Sequence, residues 1–254
     1  MTKHPMYRMN PRSRFSSRAE NYAKYRPGYS DAVINCIVAE LEDLSYSSVA
    51  DIGAGTGISS RLLADRGIKV LAIEPNAAMR QVANLHPLVE FCDGSAEDTK
   101  LPDASVDLVT CFQAFHWFNP EPALKEFARI LKPKGTLAAV WNNRCQDDEF
   151  TRKYSRLTQK ASNNDSELRY GAEKHLSHTH WFNPVRCFVF SYQQALNLEA
   201  LIGRAMSTSY LPQEGRIHEK FVEELKQLYL DYRDRQDLVY LQYQTNLYLT
   251  ELPN

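Results

Sequence analysis

Apolar residues in the first 145 positions follow two patterns, one typical of helices and one typical of buried strands. Spacings of three and four residues predict amphipathic helices, whereas short continuous apolar runs predict buried strands. The predicted strands are Val49–Ile52, Lys69–Ile73, Val89–Cys92, Val106–Phe112 and Thr136–Trp141. The predicted helices lie at about 31–42, from Ile58 to Gly67, around Met79, Val82 and Ala83, and across Leu124, Phe127, Ile130 and Leu131 before Pro133 and Gly135.

The predicted strands and helices alternate, and this order indicates the fold class. A strand, a helix and a second strand form a right-handed crossover, which makes the two strands parallel. Val106–Phe112 is apolar at most positions, as is typical of a strand that is covered on both faces. We therefore predict an α/β protein with a Rossmann-like, doubly wound sheet that carries helices on both faces.

The pattern changes after Arg144. Residues 148–161 predict a polar helix, and residues 162–180 are polar with little periodicity. We interpret 145–184 as a cap or lid inserted into a single domain that spans residues 1–254.

Regular periodicity returns in the C-terminal third of the chain. Val185–Tyr192 has strand character, and helices are predicted from near Asn197 and over 216–233. The second of these helices has Ile217, Phe221, Leu225, Leu228 and Tyr232 on one side. Val239–Leu249 alternates apolar and polar residues, which predicts a half-buried antiparallel strand at the end of the sheet.

Composition argues against several broad classes. The 254 residues carry 30 Lys and Arg against 31 Asp and Glu, and a formal charge of -1 does not favour nucleic-acid binding. The five cysteines are scattered without Cys-x-x-Cys spacing, which fits reduced thiols in the cytoplasm. No run approaches the roughly 18 apolar residues of a membrane span, and the basic N-terminal residues accompany no apolar segment. These basic residues are Lys3, Arg8, Arg12 and Arg14. We expect a soluble, cytoplasmic protein.

A glycine-rich segment, Val49-Ala-Asp-Ile-Gly-Ala-Gly-Thr-Gly-Ile58, connects a predicted strand to a predicted helix. Glycines permit a tight turn and close approach of a ligand to the main chain, and open α/β sheets bind ligands at this edge. A dinucleotide fingerprint requires a third glycine where Ile58 stands, and no Lys-Ser/Thr follows as in a P-loop. Asp51 inside the segment suits a ligand with an ammonium group.

Glu74 follows the second predicted strand, twenty-one residues after Gly53. A carboxylate at this position is placed to accept hydrogen bonds from both hydroxyls of a ribose. The glycines, Asp51 and Glu74 together therefore favour a site for an adenosine ligand. The alternative is that Glu74 is a solvated charge at the end of a strand.

The chain resembles the class I S-adenosylmethionine-dependent methyltransferases in five successive motifs. They are Asp51-x-Gly-x-Gly-x-Gly57, Ile73-Glu-Pro-Asn76, Gly94-Ser-Ala-Glu-Asp98, Asp103-Ala-Ser-Val-Asp-Leu108 and Leu131-Lys-Pro-Lys-Gly135. Phe15-x-x-x-Ala-x-x-Tyr22-x-x-x-Arg26-Pro-Gly-Tyr29, with Tyr243-Gln-Thr-x-x-Tyr248, is similar to the trans-aconitate methyltransferase-like branch, which acts on small molecules. The resemblance implies a seven-stranded sheet whose last strand is antiparallel.

The same resemblance implies S-adenosyl-L-methionine as cofactor and suggests which residues contact each part of it. The backbone of Gly53, Ala54 and Gly55 is expected to meet the methionine part, and Glu74 the ribose. Arg26 is the candidate for the methionine carboxylate, and the N-terminal segment 1–30 is expected to cover the cofactor.

For the adenine, the resemblance implies packing against Met79 and a hydrogen bond from the Ala96 amide to a ring nitrogen. Ser95 stands where many relatives have Asp, which implies a weaker bond, or none, to the adenine amino group. The other residues predicted to bind the cofactor are Asp51, Gly57, Pro75, Glu97 and Gln113.

An aromatic segment, Phe112-Gln-Ala-Phe-His-Trp-Phe118, follows the fourth predicted strand. His116-Trp117 resembles a His-Trp pair of carboxyl methyltransferases, in which the indole N–H helps to hold the acceptor carboxylate. His116, Trp117 and Tyr22 are therefore predicted to bind the acceptor, although structural packing is an alternative role for the pair. A carboxylate acceptor requires no general base, whereas an amine or phenol requires one, and His116 is the available residue.

The expected partners are the cofactor and a small-molecule acceptor, and no metal, nucleic acid or membrane is expected. The oligomeric state, monomer or homodimer, is not predicted. His175, His178 and His180 are interpreted as solvated lid residues, because no cysteine lies near them. The leading acceptor is a carboxylate oxygen of an organic acid. The alternatives are N-, O- or C-methylation of a natural product or lipid-like acceptor, and cofactor binding without methyl transfer.

Overall fold

The computed structural model describes residues 6–8, 15–162 and 171–253, and within them seven strands form one sheet. The strands are β1 (Ser48–Ile52), β2 (Lys69–Ile73), β3 (Val89–Cys92), β4 (Val106–Phe112), β5 (Leu131–Arg144), β6 (Arg186–Leu196) and β7 (Val239–Glu251). Their order is β3-β2-β1-β4-β5-β7-β6. β1 to β5 are parallel and β7 is antiparallel to both of its neighbours, so the predicted α/β class and the antiparallel last strand are confirmed.

The helices connect the strands and cover the sheet. They are α1 (Ala19–Tyr25), α2 (Asp31–Val38), α3 (Ile58–Ala64), α4 (Ala77–Gln81), α5 (Pro120–Ile130), α6 (Glu149–Ala161), α7 (Lys174–Ser177), α8 (Leu198–Met206) and α9 (Gly215–Tyr232). A short 3-10 helix, Phe115–Trp117, follows β4. The order of the strands reverses between β1 and β4, and open α/β sheets bind ligands at such a reversal.

Two apolar clusters cover the two faces of the sheet, as the alternation predicts. Leu124, Phe127 and Ile130 of α5 pack on one face, while α2 and α3 pack on the other. A third cluster joins α6, α8 and α9 to the C-terminal strands. Each face is closed by the apolar side of its helices, which explains why the central strands carry few polar residues.

Two expectations about β5 and the helix before it are wrong. α5 ends at Ile130, and Leu131 is the first residue of a strand that extends to Arg144 rather than occupying only Thr136–Trp141. Leu131 pairs with Val106, and the register shifts before the next pair, Leu108 with Thr136. An irregular strand that contains a proline and a glycine does not have the simple alternation from which strands are predicted.

Three further details differ from the predictions. β7 lies between β5 and β6 rather than at the end of the sheet. Alternation indicates that one face of a strand is buried, but it does not identify the neighbouring strands. Ile217 is 60% exposed on the first turn of α9, although Phe221 and Leu225 of the same predicted face are buried. α2 ends at Val38, four residues before the predicted end.

The predicted cap, 145–184, lies partly outside the described residues because these omit 163–170. Phe150 and Tyr154 of α6 pack into the C-terminal cluster, whereas Leu176 of α7 and Phe182 pack against the α5 face of the sheet. Of the basic N-terminal residues, Lys3, Arg12 and Arg14 also lie outside the described part. Among the helices of the described residues, none is long and apolar enough to cross a bilayer.

Candidate cofactor and acceptor site

The glycine loop after β1 requires its glycines. Gly53, Gly55 and Gly57 have φ values of 70°, 59° and 73°, in the left-handed region that other residues rarely adopt. A Cβ on Gly53 would lie 2.7 Å from Cβ of Ala114, and a Cβ on Gly57 would lie 2.7 Å from the ring of Phe91. The loop therefore lies in close contact with the neighbouring segments, and side chains at Gly53 and Gly57 would not fit there.

Asp51 lies beneath this loop and is fully buried. Its carboxylate accepts hydrogen bonds from Ser59 (2.7 Å) and Ser60 (2.6 Å) on α3 and from Thr110 (2.9 Å) on β4. Burial raises the pKa of Asp51, and the three hydroxyl donors act in the opposite direction. Asp51 lines neither of the two cavities described below, so these contacts give it the role of anchoring the loop; its predicted contact with an ammonium group stays a prediction.

A cavity of about 470 Å³, here called the loop cavity, opens beside the glycine loop. Glu74 lies in its wall, where Oε2 accepts the N–H of Gly55 at 2.9 Å and Oε1 accepts the N–H of Asn76 at 2.8 Å. Burial raises the pKa of Glu74, while these two backbone bonds lower it. The other lining residues that were predicted to bind a cofactor are Gly53, Gly55, Pro75, Met79, Ser95, Ala96, Glu97 and Gln113.

The far wall of the loop cavity is held in place by local hydrogen bonds. Ser95 and Asp98 exchange backbone hydrogen bonds across a tight turn that presents Ala96 to the cavity. Glu97 accepts the backbone N–H of Asn119 at 2.9 Å. Met79 is 3% exposed and packs close to the position of a Cβ on Gly55. The predicted adenine residues Met79, Ser95 and Ala96 therefore all line the loop cavity.

A second cavity, here called the arginine cavity, adjoins the loop cavity and shares five of its residues. Its wall contains the guanidinium groups of Arg26, Arg144 and Arg204, and the described residues contribute no Asp or Glu to it. Among the described residues, none of these three arginines forms an ion pair with a carboxylate. The shared residues are Phe15, Tyr22, Gly53, Gln113 and Trp117.

Each guanidinium of the arginine cavity is held by neutral groups. Arg26 donates to the carbonyl of Ser207 at 3.1 Å and lies 4.6 Å from the ring centre of Tyr22. Arg144 donates to Thr158 at 2.9 Å. Burial, and then the positive charge of Arg204, lower the pKa of Arg26, which nevertheless stays charged because guanidinium is a very weak acid.

Arg204 is the most deeply enclosed of the three, with 6% of its surface exposed. Its Nε donates to the hydroxyl of Tyr243 at 3.3 Å, while its Nη1 is buried without a hydrogen-bond acceptor. A buried charge without a partner is unfavourable, so an anionic ligand that reaches Nη1 would satisfy it. Sequence reasoning missed Arg204 and Arg144; the one signal for Arg204 is its place in the apolar run Leu201-Ile-Gly-Arg-Ala-Met206.

His116 and Trp117 lie on the 3-10 helix after β4 and line the arginine cavity. Trp117 also lines the loop cavity and packs edge-on against Phe15, with 5.5 Å between ring centres. The indole N–H of Trp141, on β5, donates to Nδ1 of His116 at 3.2 Å. Of the three predicted acceptor residues, Tyr22 and Trp117 therefore lie where the two cavities meet, and His116 lies on the side of the arginine cavity.

Gln113 contributes to both cavities and has an unusual backbone. Its φ is 54°, in the left-handed region, and such strain in a residue other than glycine is often found at functional sites. Its N–H donates to Val140 at 2.8 Å and its side chain donates to the carbonyl of Asn142 at 3.0 Å. These bonds fix the segment between β4 and His116 against β5.

The lid histidines do not converge on a metal site in the part of the chain that the structure describes. His178 bonds the carbonyl of Lys174 at 2.7 Å, and His180 packs against the ring of Trp181. Within the described ranges, no group of three His, Cys, Asp or Glu side chains is arranged to hold a metal ion. His175 and His178 line a third cavity, here called the lid cavity, which also contains His116 and Glu121.

Comparison with known proteins is consistent with this geometry. A family model described as a methyltransferase domain matches residues 50–139. An uncharacterized methyltransferase-like protein of Schizosaccharomyces pombe is 32% identical over 219 residues, which are 84% of this chain and 85% of that protein. A solved structure from Anabaena variabilis, assigned as a methyltransferase from an antibiotic biosynthesis pathway, has a TM-score of 0.64 and 25% identity, covering 90% of this chain and 98% of that one. A structure assigned as a type II methyltransferase from Anaeromyxobacter dehalogenans shares the fold, with a TM-score of 0.64, 22% identity, and coverage of 91% and 100%.

Proposed function

Because the chain belongs to the class I S-adenosylmethionine-dependent methyltransferases, we propose that it binds S-adenosyl-L-methionine in the loop cavity and methylates a small anionic acceptor in the arginine cavity. The acceptor atom is a carboxylate oxygen of an organic acid. One observation carries this choice: Arg204 is buried in the wall of the arginine cavity, and its Nη1 has no hydrogen-bond acceptor.

The residues of the loop cavity fit the cofactor. Gly53 and Gly55 line it at positions where a Cβ would crowd Ala114 or Met79, and Glu74 lies in the same wall. In this assignment Gly53, Ala54 and Gly55 hold the methionine part, Glu74 the ribose hydroxyls, and Met79 the adenine. Arg26, whose guanidinium lies over the ring of Tyr22 in the wall of the arginine cavity, holds the methionine carboxylate where the two cavities meet.

The acceptor residues follow from the same arrangement. Arg204 and Arg144 bind and orient the acceptor anion, while His116 and Trp117 line the junction between the two cavities. When bound, S-adenosylmethionine would supply the methyl group: a bond would form between a carboxylate oxygen and the methyl carbon, while the S–CH₃ bond would break and leave its electron pair on sulfur. The products are a methyl ester and S-adenosylhomocysteine, and no proton is released.

Alignment and exclusion of water account for the rate in this proposal. A carboxylate is already deprotonated near neutral pH, so holding the oxygen in line with the methyl group is the main requirement. The aromatic residues Phe15, Tyr22 and Trp117 line both cavities and exclude water from the junction.

Two measurements test the proposal. Calorimetry is expected to show binding of S-adenosylmethionine and S-adenosylhomocysteine, and absence of binding would contradict the cofactor assignment. A panel of organic acids, amines and phenols is then assayed for release of S-adenosylhomocysteine. Turnover confined to the acids is expected. Turnover of amines or phenols alone would support the alternative acceptors, and binding without any turnover would support a non-catalytic role.

A further inference from the structure

Gly203 of α8 lies directly against the ring of Tyr25, the last residue of α1. A Cβ on Gly203 would lie 2.7 Å from Cγ of Tyr25 and closer still to two other carbons of the ring. Gly203 is buried within its helix and has no left-handed φ, although glycine at such a position costs roughly 0.5–1 kcal/mol relative to alanine. The close approach of α1 to α8 is therefore what requires a glycine there.

Polar contacts attach the same end of α1 to α8 and to β6. The hydroxyl of Tyr25 and Nζ of Lys24 both donate to Oε1 of Glu199, at 2.5 and 2.8 Å. Gln194 of β6 donates to the carbonyl of Tyr25 at 3.0 Å. The ion pair between Lys24 and Glu199 is exposed and adds little, because water screens it. Packing of the Tyr25 ring on Gly203 therefore provides most of the attachment.

Each residue of this contact directly precedes an arginine of the arginine cavity. Arg26 follows Tyr25 and donates to the carbonyl of Ser207, just after α8, at 3.1 Å. Arg204 follows Gly203, and both arginines line the arginine cavity. Burial first, and the positive charge of Arg204 second, lower the pKa of Arg26, so the two charges lie close enough to repel each other. The contact between Tyr25 and Gly203 holds α1 on α8 against that repulsion.

α1 and the residues just before it also contact the loop cavity. Tyr22 lines both cavities, and its Cε1 would lie 3.6 Å from a Cβ on Gly55. Phe15 packs edge-on against the ring of Tyr22, with 5.9 Å between ring centres. The side chain of Asn76, which caps α4, donates to the hydroxyl of Ser16 at 3.1 Å. The N-terminal segment therefore connects the wall of the loop cavity to the helix that carries Arg204.

We infer that Tyr25 and Gly203 are positioning residues, whose contact couples binding of the cofactor at Arg26 to binding of the acceptor at Arg204. The inference rests on the proposed function and adds this coupling to it. A cofactor carboxylate placed at Arg26 reduces the repulsion between the two arginines, so α1 packs more firmly on α8. By linkage, an acceptor anion at Arg204 strengthens cofactor binding by the same factor.

Hydrogen–deuterium exchange of the full chain, with and without S-adenosylhomocysteine, tests this coupling without any turnover. S-adenosylhomocysteine retains the methionine carboxylate, so it is expected to slow exchange in α8 by about threefold or more, as well as in the glycine loop. The described residues that line the loop cavity include none of α8, so slower exchange there reports an effect transmitted through the protein. Slower exchange in the glycine loop with unchanged exchange in α8 would overturn the inference.

Gly203→Ala places a methyl group against the Tyr25 ring and is expected to separate α1 from α8. If the glycine had no role beyond its own helix, alanine would stabilise α8. The expected result is instead a loss of about fivefold or more in affinity for S-adenosylhomocysteine, because Arg26 moves with α1. The slower exchange in α8 is expected to be lost as well. Wild-type affinity and wild-type exchange in this variant would overturn the inference.

Two variants of Tyr25 are the controls for the added methyl group. Tyr25→Phe keeps the ring on Gly203 and is expected to retain the slower exchange in α8. Tyr25→Ala removes the ring and is expected to reproduce the effect of Gly203→Ala. Because the two residues act through one contact, the double variant is expected to bind S-adenosylhomocysteine about as weakly as Tyr25→Ala alone. Additive losses would mean that the two residues act independently and would overturn the inference.

Calorimetry with the acid identified in the acceptor panel measures the coupling itself. Saturating acid is expected to tighten binding of S-adenosylhomocysteine about fivefold in wild type and not at all in Gly203→Ala, a difference that a purely structural role would not produce. Unchanged affinity in wild type would overturn the inference and leave the proposed function intact. Absence of S-adenosylhomocysteine binding would contradict the cofactor assignment and the inference with it.

Discussion

The backbone N–H of Gly55 donates a 2.9 Å hydrogen bond to Oε2 of Glu74. The other oxygen of the same carboxylate accepts the N–H of Asn76 at 2.8 Å. Glu74 thus joins the glycine loop after β1 to the segment after β2, across the point where a ligand would lie. One carboxylate therefore connects two segments of the cavity wall, and in the proposed function its remaining lone pairs accept the ribose hydroxyls.

Glu74→Gln is expected to weaken cofactor binding through both of these roles. An amide has one acceptor oxygen instead of two, so either Gly55 or Asn76 would face an NH₂ group. A lost hydrogen bond to a charged group is worth about 1.5–3 kcal/mol, which corresponds to roughly 10- to 100-fold in affinity. Calorimetry with S-adenosylhomocysteine measures the change.

The matched control for this variant is Glu90→Gln, because Glu90 is an exposed carboxylate on β3 that lines neither described cavity. Its affinity for S-adenosylhomocysteine is expected to equal that of wild type. If Glu74→Gln also bound as wild type does, the ribose role of Glu74 would have to be abandoned.

Gly53→Ala separates steric contact from backbone strain. Both Gly53 and Gly67 have positive φ, so alanine at either position costs about 1 kcal/mol in conformation. A Cβ on Gly53 would in addition lie 2.7 Å from Cβ of Ala114, whereas no atom lies within 4 Å of a Cβ on Gly67. Overpacking adds about 1–3 kcal/mol. Urea unfolding is expected to show the larger loss for Gly53→Ala, accompanied by weaker binding of S-adenosylhomocysteine.

Gly67→Ala serves as the control and is expected to bind the cofactor normally. Equal stability losses in the two variants would mean that Ala114 moves aside, and the close approach of the loop would then be unimportant.

The sequence was sufficient to predict β1 to β4, because each of these strands is a short, mainly apolar run that is followed by a glycine or by a polar or charged residue. β2 and β4 have the predicted bounds. The neighbours of β7 were not predictable in the same way, because burial of Leu241 and Leu247 is compatible with any position that covers one face. Pairing is decided by long-range contacts that leave no local pattern.

More of the lining residues were predicted for the loop cavity than for the arginine cavity, for a similar reason. Its residues lie in short segments directly after strands, where a motif of fixed spacing places Gly53, Glu74 and Ala96 together. Arg204 reaches the site from α8, more than 140 residues after the glycine loop, and Arg144 comes from the end of a strand that was predicted too short. Their meeting depends on tertiary packing, so local spacing does not reveal it.

Arg204→Met is expected to weaken acceptor binding without lowering the stability of the fold. A buried guanidinium with an unpaired Nη1 is unfavourable, so an apolar side chain of similar length should leave the free energy of unfolding unchanged or raise it by about 1 kcal/mol. The acceptor KM should rise roughly 10- to 100-fold because an ionic hydrogen bond is lost. Urea unfolding and steady-state kinetics with the acid identified in the acceptor panel measure the two effects.

Arg216→Met is the matched control, since Arg216 is exposed on α9 and lines neither cavity. It should alter neither quantity. Strong destabilisation by Arg204→Met with an unchanged KM would instead make Arg204 a structural residue of the C-terminal cluster.

Glu126→Gln tests how the far wall of the loop cavity is fastened to α5. Burial opposes ionisation of Glu126, but Arg129 and Thr99 donate to its carboxylate and lower its pKa from 4.5 to about 2. A pKa that is lower in the folded state stabilises the fold above pH 4.5, and this stabilisation is lost as the pH falls from 4.5 toward 2. Urea unfolding is therefore expected to show Glu126→Gln about 2 kcal/mol less stable than wild type at neutral pH, with the difference shrinking below pH 4.5. The matched control is Glu219→Gln, because Glu219 is an exposed carboxylate on α9; this variant should have the stability of wild type at every pH. A stability difference for Glu126→Gln that did not vary with pH would show that the ionised carboxylate is not what holds Thr99 in place.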